Sequence, residues 1–260
     1  MLKNYHEDGF TLVEVMIALL MAGIMVAAIF TAFTTQHKSY TMQELVAEMQ
    51  QNLRVAQYGL TTNIRMAGYD PGGKAGAGFV SADVSRFNFT VDIINSAGPT
   101  PEYDGDVGDL NENITIGFSA GNDGDNNGLA DDTDGDGEAD VATMILENKD
   151  NLAAITVPPQ DWAFADNIEA IEFQYLDEDG NILATPMAAG SAQLDDIRSI
   201  RVSILARASR PDPNFLNQSV YTPASGVAWD LNGAAAGNAA NDNFRRRLLI
   251  TTIHCRNMGL

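Results

Sequence analysis

Two consecutive nonapeptides hold the densest potential chemistry in the chain. Asp123-Gly-Asp-Asn-Asn-Gly-Leu-Ala-Asp131 runs directly into Asp132-Thr-Asp-Gly-Asp-Gly-Glu-Ala-Asp140. Both follow Asp-x-Asp-x-(Asn/Asp)-Gly-x-Ala-Asp, so the segment is an internal repeat. Alternate residues of a tight loop turn their oxygens inward, and the glycine permits the sharp bend. Ca²⁺ takes roughly six to eight hard oxygens, which this pattern can supply. In the first frame Asp123, Asp125 and Asn127 fall at positions 1, 3 and 5 of a calcium loop. Gly128 falls at 6, the Leu129 carbonyl at 7, Asp131 at 9 and Asp134 at 12. The second frame offers Asp132, Asp134, Asp136, Gly137 and Asp140, but its position 12 is Thr143, a poor bidentate substitute. Asp134 is claimed by both frames, so two ions share it or one frame stays empty. The expectation is one or two Ca²⁺ ions, bound at about 10⁻⁴ to 10⁻³ M as in extracellular modules. A solvated Asp/Asn/Gly loop, turning for geometric reasons alone, is the rival reading.

Charge is concentrated in the same region. The 260 residues carry 35 Asp and Glu against 15 Lys and Arg, a formal net of −20. Between Phe87 and Asn148 there are fifteen acidic residues and no Lys or Arg. That balance excludes the basic footprint nucleic-acid binding requires. The basic cluster Arg245-Arg246-Arg247 reads instead as a solvated strand start with acidic neighbours. The single cysteine, Cys255, permits no internal disulfide and reads as core. His6, His37 and His254 are scattered, and there is no nucleophile elbow and no paired carboxylate in an apolar frame. An enzyme is not expected. Three glycosylation sequons, at Asn88, Asn113 and Asn217, carry little weight.

The elements that would position these residues begin with an apolar segment. Residues 10–33 hold one charge, Glu14. As a helix they span about 36 Å, enough to cross a bilayer. The stretch is too long for a secretory signal peptide, and only Lys3 precedes it against Glu7 and Asp8. A carboxylate near a bilayer is costly, so Glu14 asks for a cation. Met42, Val46, Met49, Leu53, Ala56, Leu60, Ile64 and Ala67 continue as one apolar stripe of an amphipathic helix, which Gly68 and Pro71-Gly72-Gly73 end.

Gly9-Phe10-Thr11-Leu12-Val13-Glu14 followed by an apolar helix resembles the cleavage motif of type IV prepilins and pseudopilins. The resemblance implies that a prepilin peptidase cuts after Gly9 and that Phe10 becomes the methylated N-terminus. It also implies that Glu14 assembles subunits by pairing with a neighbour's N-terminal amine. Residues 1–9 would be the cleaved leader, 10–68 the N-terminal helix with 10–33 its transmembrane half, and 69–260 the globular domain. Asp8 stands where basic residues are common in that family.

After Gly72 the apolar period changes to two. Ile171, Phe173 and Tyr175 alternate with polar residues, and Asp177-Glu-Asp-Gly-Asn181 supplies a hairpin turn before Ile182 and Leu183. Residues 200–206 and 249–255 alternate likewise, which gives three strands of a half-buried antiparallel sheet. Weaker candidates are Val141 to Leu146 and Ala154 to Val157, and residues 209–243 read as a long loop pinned by Trp229. The fold class is α+β: a long N-terminal helix packed on an antiparallel β-sheet domain, with an acidic insertion around 121–140. Four segments resemble PilW-like minor pilins. They are Asn63 to Pro71, Ile171 to Tyr175 with its turn, Ile197 to Arg207, and Arg245 to Asn257. This implies a low-abundance structural subunit that primes or caps a type IV pilus. It would be held in the inner membrane before assembly, with other minor and major pilins as partners. A J-like minor pseudopilin of type II secretion is close in pattern. A calcium-dependent adhesive module at a pilus tip, contacting a surface or host ligand, is the alternative of another class.

Overall fold

The computed structural model describes residues 9–93, 103–109, 111–119, 121–135, 137–148, 162–233 and 239–259. Contacts divide the chain into two units, Met1–Glu44 and Leu45–Leu260. One helix, α1 (Leu12–Met66), supplies residues to both.

In the first unit α1 is long and apolar enough to cross a membrane. Every residue from Gly9 to Phe33 is exposed, as expected of a segment whose solvent is lipid or other helices.

In the second unit the same helix is amphipathic. Leu45, Met49, Leu53, Ala56, Leu60 and Ile64 are buried at spacings of three and four. The stripe matches the sequence pattern except at its start, where Met42 is 38% exposed and Leu45 lies inward instead. Leu60 and Ile64 enter one core with Phe87, Phe89, Ile171 and Phe173. Full burial of such a side chain stabilises by about 1.5–3 kcal/mol. Past Met66, Gly68 adopts φ +74 and its N–H donates to the Thr90 carbonyl, which turns the chain towards the sheet.

Among the described residues the sheet has seven strands: β1 (Phe79–Ala82), β2 (Arg86–Thr90), β3 (Asn113–Gly117), β4 (Ala142–Asn148), β5 (Trp162–Leu176), β6 (Ser199–Arg207) and β7 (Arg246–His254). They lie in sequence order, and every neighbouring pair is antiparallel. The registers Ile171↔Ile204, Phe173↔Val202 and Tyr175↔Ile200 put the large apolar side chains on the helix face.

The centre of the sheet is buried on both faces, not half-buried. Along β6 seven of nine residues are buried. The second face is covered by the 209–243 segment, where Trp229, Leu231 and Ala240 pack on Ala170 and Leu205. Polar groups of that face are satisfied by the covering backbone: the Ser225 N–H donates to Glu172 (3.1 Å) and the Ala224 N–H to Ser203 (3.0 Å). Trp229 thus pins the loop as expected. Asp177–Asn181 forms the tight turn, but the chain leaves it through a single bridge, Leu176↔Ile182, rather than a strand. The candidate strand at 154–157 lies outside the described residues. Asn88 and Asn217 are buried, at 9% and 1% exposure, so neither sequon is presented for modification.

Candidate assembly motif and acidic cation loops

At the start of α1, Thr11 and Glu14 close a capping box. The Thr11 N–H donates to Glu14 Oε2 (2.9 Å) and the Thr11 hydroxyl to the same oxygen (2.8 Å). In return the Glu14 N–H donates to the Thr11 hydroxyl (3.3 Å). Thr-x-x-Glu is the sequence signature of this arrangement, and it accounts for part of what Glu14 needs. Both donations fall on Oε2. Gly9 and Phe10 precede the helix and are exposed, Phe10 at 90%.

The acidic repeat occupies the β3–β4 connection, and β5 holds it in place. β4 pairs with β5 only as far as Ala142↔Ile168. Beyond that point the first nonapeptide takes its place. Leu129 bridges Ala170, the Ala130 N–H donates to the Glu169 carbonyl (2.9 Å), and the Ile171 N–H donates to the Gly128 carbonyl (2.8 Å). In this pairing the peptide groups of Leu129 itself point away from β5. Its N–H goes to Asn127 Oδ1 (2.7 Å). Gly128 has φ +87, and a Cβ there would lie 2.3 Å from the Ile171 carbonyl oxygen. Only glycine fits the conformation and the contact.

The two nonapeptides repeat in structure as well as sequence. The N–H of Gly128 donates to Asp123 Oδ2 (3.1 Å), and that of Gly137 to Asp132 Oδ2 (2.8 Å). Gly124 donates to Asp131 (2.9 Å), and Thr133 to Asp140 (3.0 Å). Gly128 and Gly137 share φ values of +87 and +88. Each loop therefore closes on its own ninth residue. Asp123, Asp125 and Asp131 bring one carboxylate oxygen each within 4.8 Å of one another, and Asp132, Asp134 and Asp140 do the same.

Asp134 stands in the second of these groups. Thr143, the twelfth position of the second frame, donates its hydroxyl to Asp166 (2.7 Å). Asp136 lies outside the described residues.

The first group is the drier. Asp123 is 1% exposed, and burial pushes its carboxyl above the usual range. The neighbouring Ser85 side chain and the Gly128 N–H oppose that rise, while Asp125 adds to it. A buried carboxylate among like charges calls for a hard cation. In the second group, the Thr133 hydroxyl and N–H and the nearby Arg207 hold Asp140 below the usual range, against a smaller desolvation. The donor set, three carboxylates in each loop, fits Ca²⁺.

Sequence reasoning missed one further feature. The Glu169 side chain is fully buried and receives both arms of Arg246, through Nε and through Nη2 (2.7 Å). Arg207 reaches it as well (3.2 Å). Arg246 also grips Asp242, Nη1 to Oδ1 at 2.7 Å and Nη2 to Oδ2 at 2.5 Å. Two carboxylates keep the guanidinium firmly charged. Arg207 donates to the Ala139 carbonyl too (2.9 Å), tying the second acidic loop to the network. Arg246 is thus the centre of a buried ion cluster, not a solvated strand start. Glu169 lies 77 residues from Arg246, so their pairing leaves no local signal.

Residues 5–30 match the prokaryotic N-terminal methylation motif. No curated protein matches. Among solved structures, a type IV-like pilin from Thermus thermophilus is similar, at 13% identity and a TM-score of 0.42, over 81% of this chain and 98% of that one. The methylation motif thus lies at the start of an apolar helix whose later turns are amphipathic and pack on an antiparallel sheet.

Proposed function

We propose that this chain is a minor pilin of a type IV pilus, a low-abundance subunit that primes assembly or caps the filament. The observation that carries the reading is the methylation motif over residues 5–30, with Glu14 near the start of an exposed apolar helix. Prepilin peptidase cuts after Gly9, and Phe10 becomes the methylated N-terminus. Residues 10–33 hold the subunit in the inner membrane, with the globular domain outside the cytoplasm, until other pilins take the helix into the filament. Because both Thr11 donations fall on Glu14 Oε2, Oε1 serves the N-terminal amine of an adjacent subunit. Pairing neutralises two charges inside a helix bundle and sets the axial stagger. PilW-like order is supported by where its four segments lie: the end of α1, β5 with its turn, β6 and β7.

The two acidic loops bind Ca²⁺, one ion each, and so order the β3–β4 connection. Support comes from the repeated carboxylate groups and the buried Asp123.

Glu14→Ala is the test of assembly. In cells producing the remaining pilins, the variant should be membrane-bound and folded, yet its share in sheared filaments should fall about tenfold or more. Undiminished incorporation would sink the pairing argument.

A further inference from the structure

The sheet ends differently at its two edges. β1 is four residues long. Its Ala82 N–H donates to the Met187 carbonyl (3.0 Å), and its Ala82 carbonyl accepts the Met187 N–H (2.7 Å). That bridge closes part of the edge to other chains. β7 is nine residues long, and no strand lies beyond it among the described residues.

The direction of the β7 peptide groups follows from its register. The Cys255 N–H donates to the Arg198 carbonyl (2.9 Å), and the Ala208 N–H donates to the Arg245 carbonyl (2.8 Å). Both contacts continue the unbroken register that runs from Ser199↔His254 to Arg207↔Arg246. The odd-numbered residues of β7 therefore bond to β6, and the even-numbered ones turn their N–H and C=O groups outwards. Among the described residues, no hydrogen bond reaches the outward peptide groups of Leu248, Ile250, Thr252 and His254. Ile250 is 47% exposed, and Thr252 and His254 are exposed as well.

An open edge of this length with apolar side chains is a template for a further strand, and folded proteins usually blunt it. Its charges narrow what fits. From Asn243 to the last residue there are four Arg and no Asp or Glu, in a chain with 35 acidic residues. Arg245 is taken by Asp212, and Arg246 by Glu169 and Asp242. Arg247 and Arg256 are exposed, one near each end of the open stretch, and neither has an ion-pair partner among the described residues. A second copy of β7 would bring another pair of exposed arginines to the same interface. An acidic strand would instead pair both ends.

We infer that the outer edge of β7, from Arg247 to His254, takes up an extended acidic segment of another polypeptide as a further strand. The outward peptide groups of Leu248, Ile250, Thr252 and His254 supply the ladder. An acid near each end of the segment meets Arg247 and Arg256, and an apolar residue between them covers Ile250. Spanning this stretch takes about seven residues. The inference stands apart from the filament reading, because it rests only on the sheet of the globular unit.

The probe is an extended peptide of that length, alternating valine and threonine, with glutamate at both ends and a fluorophore at one terminus. Fluorescence anisotropy with the full chain in detergent should show saturable binding, about tenfold or more tighter than for a peptide with lysine at both ends. Methylating every backbone nitrogen of the glutamate peptide should weaken its binding about tenfold or more. Thr252→Pro should do the same with an unchanged unfolding midpoint, because the N–H it removes points away from β6. Should that variant unfold early, Arg247→Glu with Arg256→Glu decides instead. It leaves the backbone of the edge alone and should reverse the preference in favour of the lysine peptide. Equal binding of the two peptides, or a preference that the double charge reversal leaves unchanged, would overturn the inference. Binding that methylation does not weaken would also overturn it, leaving charge attraction without a strand. A dimer of the parent chain that Thr252→Pro dissolves would overturn it in favour of a second copy.

Discussion

Replacing Arg246 by methionine is expected to destabilise the globular unit by about 3–5 kcal/mol, the usual cost of breaking a buried ion pair. The change removes a guanidinium whose side chain is 1% exposed and leaves Glu169 at 0% with Arg207 as its one cation among the described residues. The penalty is not the lost attraction alone. It is mainly the free energy of keeping an uncompensated carboxylate away from water. For a domain of this size the midpoint of thermal unfolding should fall by about 6–20 °C. Adding Glu169→Gln to the same chain should recover part of the loss, because the stranded charge is then gone. The loss should also spread. Asp242 anchors the end of the 209–243 segment, whose Asn217 N–H donates to the Asp242 carbonyl (2.7 Å). Proteolysis within 209–243 should therefore accelerate in Arg246→Met. An Arg246→Met protein as stable as its parent would mean that the cluster is solvated after all.

Calcium should give the second large effect. With dissociation constants of about 10⁻⁴ to 10⁻³ M, 10 mM Ca²⁺ corresponds to about ten to one hundred times the constant. Each occupied loop then contributes about 1.4–2.7 kcal/mol. Two loops should raise the unfolding midpoint by roughly 6–20 °C. Asp123→Ala should remove about half of this shift and Asp123→Ala with Asp132→Ala nearly all of it. The pH dependence has a definite sign. The folded Asp123 carboxyl lies above its unfolded value, so the folded chain without metal holds this proton more tightly. Stability from this group is therefore present below the unfolded value and lost as pH rises through the folded one. Calcium must displace the proton. Its stabilisation should grow as pH rises through the folded Asp123 value, and proton release on binding should be larger at pH 5 than at pH 7. Equal calcium shifts in parent and double variant would remove the acidic repeat as a calcium site.

Much of this fold is written in local patterns. The helix stripe and strands β5, β6 and β7 carry long periodic runs, and they form the expected elements. β2 escapes a sequence reading because Arg86-Phe-Asn-Phe-Thr90 is a five-residue run at the edge of the acidic quarter of the chain. Its polar centre, Asn88, is buried only because its amide donates to Asn113, Ile114 and Thr115 across the β2–β3 pair. That pairing is tertiary information. The acidic repeat is legible as a repeat, but its closure is not. The two sequence frames overlap at Asp134, whereas backbone N–H groups at the sixth and second positions close each nonapeptide on itself. Thr11 shows the opposite case. Thr-x-x-Glu is readable in the sequence, yet the cost of a carboxylate near a bilayer directs attention to a cation outside the chain rather than to the nearest hydroxyl. The pairing of Glu169 with Arg246 arises only when distant segments meet.

Processing as a filament subunit is read most directly at the mature N-terminus. The protein should be purified from membranes of a cell that makes prepilin peptidase, and its intact mass and N-terminal peptide measured. The expected result is a chain that begins at Phe10 with one added methyl group on its amine. A mature protein that retains residues 1–9, or begins beyond Phe10, would contradict it.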